Sequence, residues 1–104
     1  MSLPDGTRVF RIKTKEGSLF VARMDDLKEK DGYRVGWMTL VGYSKRVGRD
    51  IRMTGIANLP EAGSQVVVSA EPIETLSIEG ETVPVYPKEF IVDVVELDLE
   101  FDSE

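Results

Sequence analysis

Aromatic and basic side chains crowd into one part of this 104-residue chain. Residues 32–46 hold the only tryptophan, Trp37, two of the three tyrosines, Tyr33 and Tyr43, and the cations Arg34, Lys45 and Arg46. Arg49 and Arg52 follow closely. Flat π surfaces next to cations suit one chemistry well, the non-specific binding of single-stranded nucleic acid. Bases stack on the aromatic rings while Lys and Arg follow the phosphates, and each stacked base contributes about 1–3 kcal/mol whatever its identity. The expected contacts are therefore Tyr33, Trp37 and Tyr43 for stacking, and Arg34, Lys45, Arg46, Arg49 and Arg52 for phosphates. The first-hairpin cations Arg11, Lys13, Lys15 and Arg23 would extend such a groove. The same aromatics have a plainer use, because rings at a spacing of two also fill barrel interiors. The direction in which Trp37 points decides between the two.

Catalysis is disfavoured by what is missing. The chain has no histidine and no cysteine, so a Ser-His-Asp triad, a thiolate nucleophile and a zinc hydrolase site cannot be built. Carboxylate-only acid–base chemistry and a hard-cation site remain. Asp25, Asp26, Glu29 and Asp31 lack the spacing of an EF-hand loop and are interleaved with Lys28 and Lys30, so they read as a solvated segment. The expectation is a non-enzyme with no catalytic residues, no metal and no cofactor.

The net charge of −6 hides a division. Residues 1–52 hold twelve Lys/Arg and seven Asp/Glu, a net of +5, whereas residues 53–104 hold one and twelve, a net of −11. Such asymmetry fits a basic binding face with an acidic remainder. The acidic half could instead pair with the basic half inside one barrel, or be the contact surface for a protein partner. That last option gives the alternative function, a β-rich assembly module of a larger or viral complex, homo-oligomers included. Its contacts would come from a hairpin around Glu79-Gly80-Glu81 and from the acidic last strand. No apolar run is long enough for a membrane span or signal segment, so no membrane partner and a cytoplasmic location are expected.

The elements that must position these groups are strands. With a period of two, Tyr33, Val35, Trp37, Thr39, Val41, Tyr43 and Lys45 share one face of a long strand, and Arg34, Gly36, Met38, Leu40, Gly42 and Ser44 share the other. Gly36 and Gly42 are where that strand can bend. Before it, residues 7–14 alternate with Phe10 and Ile12 inward and Arg11 and Lys13 outward, and 15–18 form a glycine-bearing turn. Residues 19–24 are apolar on both faces, as in a covered central strand. Residues 24–32 are the only helix-like stretch, with Asp26 and Glu29 at capping-box spacing and Gly32 as a stop. After the long strand come a basic turn around Gly48, a strand over 51–56, a loop over 58–63 and a buried strand containing Val66-Val67-Val68. An edge hairpin over 73–86 carries Pro84. The last strand places Ile91, Val95, Leu97, Leu99 and Phe101 on one face.

Seven or eight short strands in one domain, 1–104, predict an all-β fold. A small antiparallel Greek-key barrel of the OB type fits best, with an SH3-like barrel or small sandwich as rival.

Three segments carry a family resemblance. Trp37-Met38-Thr39-Leu40-Val41-Gly42, Gly63-Ser64-Gln65-Val66-Val67-Val68 and Phe90-Ile91-Val92-Asp93-Val94-Val95-Glu96 resemble blocks of the OB-fold single-stranded DNA-binding proteins, over roughly the C-terminal two thirds. The resemblance implies base stacking by Trp37 and single-stranded DNA or RNA as partner. The chain departs from the family between the blocks, where 44–62 read as turn, strand and loop rather than helix. Where the family has a long acidic tail ending in exposed proline-phenylalanine, Phe101 here is expected to face the core and precedes Asp102-Ser103-Glu104.

Overall fold

The computed structural model describes residues 6–98. Eight strands run in the order β1 (Arg8–Thr14), β2 (Leu19–Lys30), β3 (Tyr33–Ser44), β4 (Arg49–Asn58), β5 (Gln65–Val67), β6 (Glu74–Ile78), β7 (Glu81–Val85) and β8 (Lys88–Leu97). The described residues contain no helix. Six strands form one antiparallel sheet ordered β4-β3-β2-β1-β8-β5, and β6 and β7 form a separate two-stranded sheet. The return of β8 to lie beside β1 gives β8-β1-β2-β3 the spatial order of a Greek key. The sheet curls into an all-β half-barrel compatible with a small OB-like barrel. Its two edges, β4 and β5, do not pair. They face each other across a seam bridged by Arg49 Nη2, which donates to Ser69 Oγ at 3.3 Å.

The concave face holds the core. Phe10, Ile12, Phe20, Ala22, Met24, Leu40, Val66, Val68 and Ile91 pack there, with Leu27, Met38, Ile51 and Met53 around them. Phe20, Ile12, Met24 and Leu40 are essentially solvent-free, and each such side chain contributes about 1.5–3 kcal/mol by leaving water. The inward parity of Phe10 and Ile12 agrees with the alternation of β1. The expected buried strand around Val66-Val67-Val68 is a three-residue edge strand, with Val66 and Val68 buried.

Three expectations are corrected. The helix-like stretch 24–32 is strand: β2 continues to Lys30 and turns through Asp31-Gly32, both with positive φ. Lys30 pairs with Tyr33, so this is a two-residue hairpin, for which Asp-Gly is a favoured pair. The capping pattern lost because the cross-strand ladder to β3 satisfies the backbone groups that a one- or two-turn helix would leave open. Secondly, β2 is central but not covered on both sides, since Leu19 and Val21 are 53% and 40% exposed. Thirdly, β8 changes parity. Lys13 pairs with Asp93 but Thr14 pairs with Ile91, leaving Val92 as an extra residue. That bulge turns Val94 toward the core and leaves Val95 exposed. Leu99 and Phe101 lie outside the described residues.

A second bulge bends the long strand. Asp25 pairs with Trp37 but Lys28 pairs with Val35, so β2 carries one extra residue near Asp26, whose φ is 53°. Gly36 lies opposite: a Cβ there would come within 2.7 Å of Asp25 O.

Candidate nucleic-acid interface

Pairing across the convex face places side chains in rows. One row reads Asp93, Lys13, Leu19, Tyr43, Asp50, and the next reads Val95, Arg11, Val21, Val41, Arg52. Beyond them come Leu97, Val9, Arg23, Thr39, Thr54, and then Asp25, Trp37, Ile56. Trp37 is 48% exposed and Tyr43 51%, so the aromatic face of β3 points outward. The barrel's curl decides this: Leu40 and Ser44 take the concave side, where Gly36 and Gly42 let β2 come close.

Trp37 borders a shallow cleft of about 340 Å³ with Val21, Arg23, Asp25, Thr39, Val41 and Arg52. Asp25 accepts from Arg23 Nε at 3.1 Å and from Thr7 Oγ1 at 2.8 Å, so its charge is largely engaged. Arg11, Lys13, Lys45, Arg46 and Arg52 make no salt bridge among the described residues. At about 3.4 Å per residue, Trp37 and Tyr43 stand roughly 20 Å apart along β3.

The eight expected contact residues therefore divide. Trp37, Tyr43 and Arg52 share the convex face, and Lys45 and Arg46 lie in the exposed turn that follows Tyr43. Tyr33 is 65% exposed at the far hairpin tip, beyond the bulge. Arg34 lies on the opposite parity and lines a different cleft with Arg8 and Leu27. Arg49 reaches toward Ser69 across the seam. In their place the register brings in Arg11 and Lys13, which the alternation of the first strand had placed outward, together with Arg23.

One residue that supports the site has no sequence signal. Glu89 is fully buried and accepts from Thr14 Oγ1 at 2.7 Å, Ser18 Oγ at 2.5 Å and Ser44 Oγ at 2.6 Å. Ser18 Oγ in turn accepts from Lys45 N, and Ser44 Oγ from Val47 N. The carboxylate thus fastens the β1–β2 turn, the end of β3 and the basic turn to the start of β8. At the opposite end of the barrel, Arg8 grips Glu96 through two bonds of 3.0 and 2.6 Å. The hydrogen bond from Arg8 holds the Glu96 carboxyl below its ordinary value.

A second concavity of about 270 Å³ opens at the seam, lined by Met38, Met53, Ile56, Leu59, Val66 and Ile91 among others, without a basic residue. No cluster of three potential metal-ligating side chains occurs among the described residues. No helix among them is long and apolar enough to cross a membrane. Comparison with protein-family models, curated proteins and solved structures found no match.

Proposed function

We infer that this chain is a non-enzymatic, cytoplasmic barrel that binds single-stranded DNA or RNA with little sequence preference. The observation that supports the reading is the outward direction of Trp37 and Tyr43 beside cations that make no salt bridge among the described residues. Bases stack on Trp37 and Tyr43, while Arg52, Lys45 and Arg46 take phosphates, joined by Arg11 and Lys13. The acidic half of the chain keeps other surfaces away from the backbone of the nucleic acid.

The test is the fluorescence of Trp37 titrated with oligo-dT and oligo-U at two salt concentrations. Five cation–phosphate contacts give a slope of about −3.5 in log K against log salt for a single strand. Raising salt fourfold then weakens binding about a hundredfold. Trp37→Ala costs about 1–3 kcal/mol of affinity and leaves folding nearly unchanged, since the ring is half exposed. A signal indifferent to oligonucleotide at low salt, with micromolar protein, would sink the reading.

A second reading, a protein assembly module, is favoured by the β6–β7 hairpin. It lies against no other strand of the barrel and exposes Ile73, Leu76, Ile78 and Val83.

A further inference from the structure

The β6–β7 hairpin leaves the barrel between β5 and β8 and pairs only within itself. Every residue from Ala70 to Pro84 is exposed. A lone two-stranded hairpin is at best marginally stable in water, so an arm of this kind gains stability by lying on something. Its register shows which side does so. Leu76 pairs with Val83, Glu74 with Val85 and Ile78 with Glu81, which gathers four aliphatic side chains on one face with a glutamate at either end. Thr75, Ser77, Thr82 and Pro84 occupy the other face.

The matching surface exists on the same chain. Residues 53–87 contain five glutamates and no Lys or Arg. The convex sheet offers exposed Leu19, Val21, Val41 and Tyr43, an apolar strip with Lys13 and Arg11 on one side and Arg52 and Asp50 on the other. The arm is flanked by two glutamates, and the strip by three cations against one aspartate. Yet β6 and β7 touch none of the strip's strands within one molecule.

We propose that the apolar face of the β6–β7 arm docks on the convex β1–β4 face of a second copy of this chain, with Glu74 and Glu81 meeting Lys13 and Arg52. This deepens the assembly reading and rests on it. A two-fold exchange lets both arms dock at once and closes the assembly at a dimer. It also doubles the buried area toward the roughly 1,600 Å² of a standard interface. The concavity at the seam, lined by Glu61 and no cation, is a poorer receiver for an acidic arm.

Sedimentation of the full chain without nucleic acid tests this, from low micromolar to millimolar protein, with circular dichroism as a folding check. Two charge-swapped chains are made, Glu74→Lys/Glu81→Lys and Lys13→Glu/Arg52→Glu. The parent is expected to dimerise reversibly, each swapped chain to remain monomeric alone, and their equimolar mixture to dimerise again. A chain with 74–85 replaced by a short Gly-Ser linker is expected to be folded and monomeric. A parent that stays monomeric throughout, or whose arm is protected from hydrogen exchange on its own barrel, overturns the proposal and restricts the assembly reading to partners of different sequence. A dimer that survives loss of the arm overturns the proposal alone.

Discussion

At Glu89 a buried carboxylate is held by three hydroxyls and by no salt-bridge partner among the described residues. Burying a charge costs several kcal/mol unless its lone pairs are met, and here Thr14, Ser18 and Ser44 meet them. Removing the carboxylate leaves the protons of those buried hydroxyls without an acceptor, each at a cost of order 1–3 kcal/mol. Glu89→Ala is therefore expected to lower stability by about 3 kcal/mol or more. Glu89→Gln, which retains one acceptor oxygen, is expected to lose less. Urea unfolding midpoints measure both. Because Lys45 N and Val47 N hang from the same hydroxyls, the alanine variant also loosens the basic turn beside Tyr43. None of this was legible beforehand. A glutamate at the start of an edge-flanking strand reads as solvated, and its three donors lie 45 to 75 residues away along the chain.

At the level of the strands, the convex face depends on how closely β2 approaches β3. Gly42 has φ of 145°, and a Cβ there would sit 2.5 Å from Leu19 O and 2.8 Å from Phe20 Cδ1. Neither backbone nor a fully buried ring can yield cheaply. Gly42→Ala is expected to cost about 1–3 kcal/mol, seen as a lower thermal midpoint. Gly55→Ala, with no atom within 4 Å of its added carbon, is expected to be neutral or slightly stabilising. The two glycines marked by period-two reading as bending points, Gly36 and Gly42, are both places of close strand contact. The reading failed at 24–32, where local capping chemistry resembled a short helix. It failed again at β8, where one extra residue at Val92 reverses the parity from Asp93 to Leu97.

For the molecule as a whole, both proposed uses fall on one face. Nucleic acid and the arm of a second copy then exclude each other. Oligo-dT is expected to shift the sedimenting species from dimer to monomer–oligonucleotide complex. At protein about ten times its dimer dissociation constant, only about a fifth of the chains are free, so apparent oligonucleotide affinity falls about fivefold. The arm-shortened chain is expected to recover that loss and to show no dependence on protein concentration. Affinities that agree at every concentration would show that the two partners use different surfaces. The acidic arm and the sheet that carries the cations are separate parts of one elongated molecule of 59 × 33 × 21 Å.

The all-β class, the inward pair Phe10 and Ile12, and the hairpin at Glu79-Gly80 followed from the sequence alone. Alternation and turn residues are local properties, and they survive any arrangement of the strands. The outward direction of Trp37 did not follow. Both faces of residues 32–46 are partly apolar, and only the curl of the finished sheet makes one of them concave. The same holds for the replacement of Arg34 and Arg49 by Arg11, Lys13 and Arg23 beside the aromatics. Register between strands far apart in sequence sets which cations become neighbours, and a single bulge moves them to the other face. Local chemistry thus chose the elements, while long-range pairing decided which of their side chains share an exposed face.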